Sequence, residues 1–457
     1  RTFALAALFA PFSFAQTAPA PASPAKENET VKLEPFEVVT DKGTRGYGTT
    51  TALGATRINA PIADTPQSIV SLNQEFLQDV NPTNFSDALR FVSGVTKSAG
   101  DYIGDVTIRG TTTQAIGFRD SISDSLNINI NTGITLPDPI EVERLEVIKG
   151  PAGAFYGSHG FGGVINRVSK RPLEKRRTEL GLDYTTYGNG EGFYRSSLDT
   201  TGAIDGGKQW LYRVLGAYQD GTNHTHGLYK KQTLIGTLEF RPSPATAIWG
   251  RARRGKDRIF AAQDLWTDVQ RNMPFGDLPR HAFVGNFFED DQVDFGDTTA
   301  LEVAATHSIS VLGTRWHARL LARSNDVTQQ RRTYISSGSF FYRGGVPLRV
   351  GNADMSTNNA TWAQARAAGY DDIRENVQRR DLRNGESENT SANFDLTGEF
   401  PLGPTQHQLL LYTGRNKGET FIRRFREAWI GARPSVYVRT KVPPAQVLDG
   451  RPQTLAG

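Results

Sequence analysis

From residue 171 onward, apolar and polar residues alternate in stretches of roughly ten, separated by Gly, Asn, Asp and Pro. A period of two puts successive side chains on opposite faces of a strand. Leu180, Leu182, Tyr184 and Thr186 share one face, and Glu179, Gly181, Asp183 and Thr185 the other. Trp210, Tyr212, Val214 and Tyr218 point one way, with Arg213 opposite. The clearest strand sets Trp316, Ala318, Leu320 and Ala322 against Arg315, His317, Arg319 and Arg323. Further strands are predicted over 233–240, 247–253, 394–400 and 408–412. This alternation is the weak per-strand signature of a membrane β-barrel, although a soluble β-sandwich with one polar sheet face shares it. Four potential cations against lipid would be costly, so that face is expected to look into a wet lumen or onto another part of the chain. The long polar stretches 257–299 and 336–391 read as loops on one side of such a barrel.

The preceding third reads differently. Residues 61–70 form an extended leading segment with two prolines, and two short helices follow. For the second helix, Asn81 is the expected N-cap and Pro82 suits the first helical position; Phe85, Leu89 and Val92 make an apolar stripe, and Gly94 ends it. Short strands are predicted at 106–110 and 142–148. Six glycines between Gly150 and Gly163 mark positions of positive φ or close approach. Their order does not fit a dinucleotide fingerprint, and the segment that follows, 164–168, reads as strand and not helix. The fold class predicted is a compact α+β unit followed by an antiparallel transmembrane β-barrel.

Composition narrows this picture. The chain has 457 residues, 37% of them hydrophobic, and no run of apolar residues beyond the N-terminus long enough for a membrane-spanning helix. The absence of Cys excludes disulfides, thiolate metal sites and a Cys nucleophile. A net charge of +4 is too small on a chain of this length to argue for nucleic acid. Residues 1–15 read as the apolar core and cleavage site of a secretory signal, with cleavage expected after Ala15. Residues 16–32, rich in Ala and Pro, are predicted to be a flexible linker. The chain begins with Arg1 and stops in Pro/Gln/Gly-rich sequence, so a longer protein is expected at both ends. The stretch Leu33, Glu34, Pro35, Phe36, Glu37, Val38, Val39 and Thr40 is extended and apolar; it suits either pairing with another chain's sheet edge or the first strand of the domain itself.

Chemistry is harder to find. His224 and His226 stand in a polar turn without an identifiable third ligand. The acidic stretch Glu289, Asp290, Asp291, Asp294 and Asp297 does not match a calcium loop. Ser158 beside His159 lacks the nucleophile-elbow context. No catalytic constellation emerges; the chain reads as a non-enzyme with no cofactor and no metal site.

Several separate motifs, taken in order, resemble the plug domain of TonB-dependent outer-membrane receptors, most closely the siderophore-receptor branch. They are Asp64 to Ile69, Leu89 to Val95, Ile108 to Gly110, Arg144 to Gly157, Gly162 to Asn166, and Lys170 to Pro172. The resemblance is strong over 33–172 and weak beyond. It implies a plug over 41–170 and, in 171–457, the first part of a barrel that has 22 strands in the complete family fold. It also makes 33–40 the TonB box, gripped by an inner-membrane TonB protein. It implies a monomeric receptor in the outer membrane of a Gram-negative-type bacterium, importing ferric siderophores, with glycan, cobalamin or another chelate as the alternative cargo. By position, the plug apices would offer Tyr102, Arg119, Phe155, Tyr156 and His159 to ligand. Arg109 and Arg144 would dock the plug by pairing with barrel glutamates.

Overall fold

The computed structural model describes residues 47–426 apart from 55, 58–59, 84, 98–104, 115–116, 125–136, 153–155, 157–161, 189, 223–227, 260–293, 337–338, 344–345, 348, 351–352, 355–371 and 376–377. The expected signal segment, linker and TonB box therefore lie outside the described residues. So do Tyr102, Phe155, His159, His224, His226, Glu289, Asp290 and Asp291.

Residues 47–170 form the α+β unit. β1 (Thr51–Ala52) pairs with β2 (Ala60–Pro61), and β3 (Ser68–Leu72) leads into α1 (Gln74–Val80) and α2 (Phe85–Leu89). Asn73 caps α1 by accepting the Phe76 N–H at 2.9 Å. Asn81 ends α1 in the left-handed region, φ 44°, donating its own N–H to the Leu77 carbonyl. The expected N-cap of the second helix is thus the C-cap of the first: both roles suit Asn, and only the chain path separates them. Leu89 and Val92 are buried as the stripe predicted, and Gly94 takes φ 73°.

β4 (Val95–Lys97), β5 (Asp105–Ile108) and β6 (Thr111–Gln114) make a small antiparallel sheet. β7 (Phe118–Arg119), β8 (Ile122–Ser123), β9 (Val142–Lys149) and β10 (Gly163–Ser169) join β3 in a five-stranded sheet of order β3–β9–β10–β7–β8. β10 pairs in parallel with β7 and antiparallel with β9. The core gathers Leu72, Leu77, Leu89, Ile108, Leu145, Val147 and Ile165 between helices and sheet. Gly163 opens β10 at φ 144°, where a Cβ would collide with the Ile148 carbonyl. At this position the glycine-rich run is a steric requirement.

The second sheet is an antiparallel meander of long strands: β11 (Arg177–Thr186), β12 (Gly192–Ala203), β13 (Trp210–Gly221), β14 (Tyr229–Ser243), β15 (Thr246–Ile259), β16 (Asp294–Val311) and β17 (Thr314–Ser336). The short strands β18 (Ser339–Arg343), β19 (Val346–Pro347), β20 (Arg349–Val350), β21 (Ala353–Asp354) and β22 (Asp372–Glu375) stand apart in two small sheets. β23 (Gln378–Leu402) and β24 (Thr405–Arg426) complete the nine strands. Every strand predicted from alternation is present. Both expected long loops are shorter than the sequence suggested, because paired strands run on into them: β15 reaches Ile259, β16 begins at Asp294, β17 reaches Ser336 and β23 begins at Gln378. Polar residues are compatible with a strand wherever the partner strand satisfies the backbone.

The alternation sorts side chains as predicted. Leu180, Leu182, Tyr184, Leu234, Leu301, Val303 and Leu320 lie exposed on the outer face. Trp210 stacks on Phe240 at 4.5 Å near one edge of this apolar band, and Tyr194 meets Tyr218 near the other. At ~3.3 Å per residue, Trp210 and Tyr218 stand roughly 26 Å apart along β13, comparable to the ~25 Å apolar band of membrane barrels. His317, Arg319 and Arg323 face inward and are buried, while Arg315 is half-exposed and pairs with Glu399 at 3.3 Å.

Candidate functional site

The inner face of the wall and the α+β unit meet in a dense ionic interface, and one small element organises it. β7 and β8 form a two-residue hairpin whose turn, Asp120–Ser121, has φ 53° and 65°. Positive φ at both central positions is the type I′ turn that matches strand twist. The turn presses Ile122 onto Trp249, Ala304 and Leu321 of the wall. It also carries Arg119, Asp120 and Asp124 to the same place.

Asp124 is the hub. It takes Arg119 at 3.0 Å and Arg167 at 2.7 Å from its own domain, and Arg323 at 3.4 Å and the Asn325 amide at 3.1 Å from the wall. Burial alone would push its carboxyl up. Arg119, Arg323 and Arg167 together outweigh that and hold it well below the usual carboxylate range. Arg119 also reaches Glu302 on β16 at 3.3 Å, and Arg323 bonds the same carboxylate at 2.7 Å. Burial opposes the Arg119 charge, yet Asp124 and Glu302 keep its pKa above the ordinary value. Arg167, closed in beside further arginines, is pushed down by burial.

Around this hub lie further bridges. Arg57 pairs with Asp395 on β23 at 3.1 Å and stacks over Tyr412 of β24. Arg319 bonds Asp395 at 2.7 Å. Arg253 stands 3.5 Å from Glu141, and Arg195 holds Asp138 through both oxygens. Lys170 pairs with Asp199 at 3.0 Å. Arg171 pairs with Glu239 at 2.8 Å and stacks on Trp249. The wall thus presents arginines to plug carboxylates as often as the reverse.

The predicted site residues fall in varied places. Arg119 is 3% exposed and bound by two carboxylates; it docks on the wall instead of presenting itself at an open apex, because the I′ hairpin turns the 119–124 segment sideways. Tyr156 is buried, edge-on to Phe118 at 4.5 Å, and its hydroxyl donates to the Gly54 carbonyl. Arg144 pairs with Glu146 on its own strand at 2.7 Å, not with a wall glutamate. Glu146 in turn accepts the Leu53 and Gly54 N–H groups and the Asn166 amide. Arg109 is exposed at φ 50°, its guanidinium near Gly150. Of the residues that do join plug to wall, Arg57, Asp120, Asp124, Asp138 and Glu141 lie outside the sequence motifs, whereas Lys170 lies within one. The available signal was the inward cationic stripe on β17, which required an acidic partner.

These features agree with known proteins. A family model described as the TonB-dependent receptor plug domain matches residues 61–164. The matched segment lies within the α+β unit, and the chain resembles TonB-dependent outer-membrane receptors. The chain is 27% identical over 400 residues to the metal-pseudopaline receptor CntO of Pseudomonas aeruginosa strain UCBPP-PA14, covering 85% of this chain and 50% of that protein. It is 29% identical over 252 residues to the ferripyoverdine receptor of P. aeruginosa strain PAO1, covering 52% of this chain and 30% of that one. The crystal structure of the P. aeruginosa ferripyoverdine receptor bound to ferripyoverdine superposes with a TM-score of 0.63 at 20% identity, covering 83% of this chain and 46% of that chain. The chain therefore spans half or less of the length of these relatives, and the nine-stranded wall corresponds to part of a closed barrel.

Proposed function

We propose that the receptor imports a ferric siderophore across the outer membrane, energised by an inner-membrane TonB protein that grips residues 33–40. The observation that carries this is the ionic interface. A plug held by buried charge pairs on a membrane-type wall is stable at rest, yet its contacts are polar and can be exchanged for water when the plug is pulled. No bond in the cargo is made or broken. The outward apolar band argues against a soluble secreted β-module. Siderophore cargo is supported by the relatives named for ferripyoverdine and metal-pseudopaline; nothing in the interface favours a glycan or cobalamin. The protein acts as a monomer, each plug serving its own barrel.

The test uses the full-length receptor in iron-starved cells. Deleting residues 33–40 should abolish uptake of radioactive iron presented as siderophore complexes, with surface binding of those complexes unchanged. Uptake that survives the deletion would refute the coupling.

A further inference from the structure

One stretch of the inner wall is only partly used by plug docking. β12, β13, β14 and β15 place Arg195, Gln219, Lys231 and Asp257 side by side in register on the inward face. Arg195 is taken by Asp138, and Asp257 also has a partner. Lys231 and Gln219 differ. They are 1% and 0% exposed, yet among the described residues the Lys231 ammonium and both ends of the Gln219 amide have no hydrogen-bond partner. One step nearer the outer rim, Phe193 and Tyr229 face inward and meet edge-on at 5.5 Å. The result is an aromatic shelf directly above an ammonium that feels the Asp138 charge but makes no hydrogen bond among the described residues, and an amide that likewise makes none.

Burying an ammonium and an amide without hydrogen bonds is costly, and a wall needed only for packing would place apolar residues there. The arrangement suits a ligand that brings a flat ring for the shelf, negative charge for Lys231, and oxygen acceptors for Lys231 and the amide N–H. We infer that Lys231 and Gln219, beneath Phe193 and Tyr229, form an inner station for an anionic, aryl-bearing ferric chelate of the catecholate class. Three catecholates leave ferric iron with net negative charge, whereas three hydroxamates neutralise it and offer Lys231 no counter-charge. Both side chains are closed off in the present arrangement. The station is therefore loaded during passage and not at first contact. This deepens the import reading and rests on it.

The test compares uptake of a ferric tris-catecholate and of ferrioxamine, a ferric trihydroxamate, by cells producing the full-length receptor or its Lys231→Met variant. Lys231→Met removes a buried charge that makes no hydrogen bond among the described residues, and the heat-modifiable gel mobility of a folded barrel verifies its assembly. Catecholate uptake by the unaltered receptor should exceed hydroxamate uptake. Lys231→Met should slow catecholate uptake about tenfold, consistent with one charge-assisted hydrogen bond, leaving catecholate surface binding and any hydroxamate uptake within about twofold. Gln219→Leu should slow catecholate uptake less, and Lys231→Arg should retain most of it. Unchanged catecholate uptake in Lys231→Met, a parallel fall for both chelates, or a preference for the hydroxamate would overturn the station while leaving import standing. Failure of the unaltered receptor to take up these or any other ferric siderophore would overturn the import reading together with it.

Discussion

Asp124 shows how much one side chain can carry. Its two oxygens serve three guanidinium groups and an amide. Replacing it by Asn keeps the shape but removes the charge that Arg119, Arg167 and Arg323 share. Breaking a buried pair costs more than the pair contributes, because a charge is left behind without compensation. Asp124→Asn should lower resistance to guanidinium unfolding by about 3 kcal/mol. Tyr156→Phe, which loses one neutral hydrogen bond, should cost about 1 kcal/mol. Equal effects in tryptophan-monitored unfolding of the detergent-solubilised receptor would contradict the hub role. The sign of the pH dependence follows from the depressed pKa of Asp124. Its contribution is fully present above the unfolded carboxylate value of about 3.9 and is lost only as pH falls through the lower folded value. Plug stability attributable to Asp124, read as the difference between the unaltered receptor and Asp124→Asn, should stay flat from neutral pH to about pH 5. A loss centred near pH 6 would point to a histidine instead.

At the scale of elements, the β7–β8 hairpin decides how the plug sits. The pattern of residues 118–124 did not announce it, since I′ turns favour Asn-Gly and this turn is Asp-Ser. Asp120 accepts the left-handed conformation and spends its carboxylate on the Ser169 N–H and hydroxyl, which ties the turn to β10. The glycine run, by contrast, was legible, and Gly163 shows why it exists. Gly163→Ala would combine a positive φ with a clash against the Ile148 carbonyl, between the two strands that centre the plug. It should cost more than about 2 kcal/mol and lower the yield of folded receptor in outer-membrane fractions. Near-normal yield and unfolding midpoint would show that β9 and β10 relax more easily than their register suggests.

For the molecule as a whole, the wall has two faces with opposite requirements. Leu182 is 87% exposed on the outer face, a position that water would penalise and lipid would favour. Leu182→Arg should destabilise the receptor by about 2 kcal/mol in lipid vesicles. The same change in a soluble sandwich would be neutral or helpful, so a more soluble, equally stable variant would remove the membrane from the picture. Inside, Arg319 and Arg323 meet Asp395, Glu302 and Asp124, so the plug supplies part of the charge that the inward stripe of the wall lacks.

Period-two alternation, the glycine run and the ordered plug motifs determined the two-part architecture, the strands and the faces they show to lipid and lumen. Those features depend on local backbone periodicity and steric limits, which a single chain segment carries within itself. Only the tertiary structure decided the pairing of charges. Arg119 sits beside Glu302, and Arg57 beside Asp395, across gaps of the chain that no spacing rule spans. It also left the Lys231 ammonium without a hydrogen bond among the described residues. An ion pair depends on where two distant backbones come to rest, and that position is set by the packing of the plug against the wall.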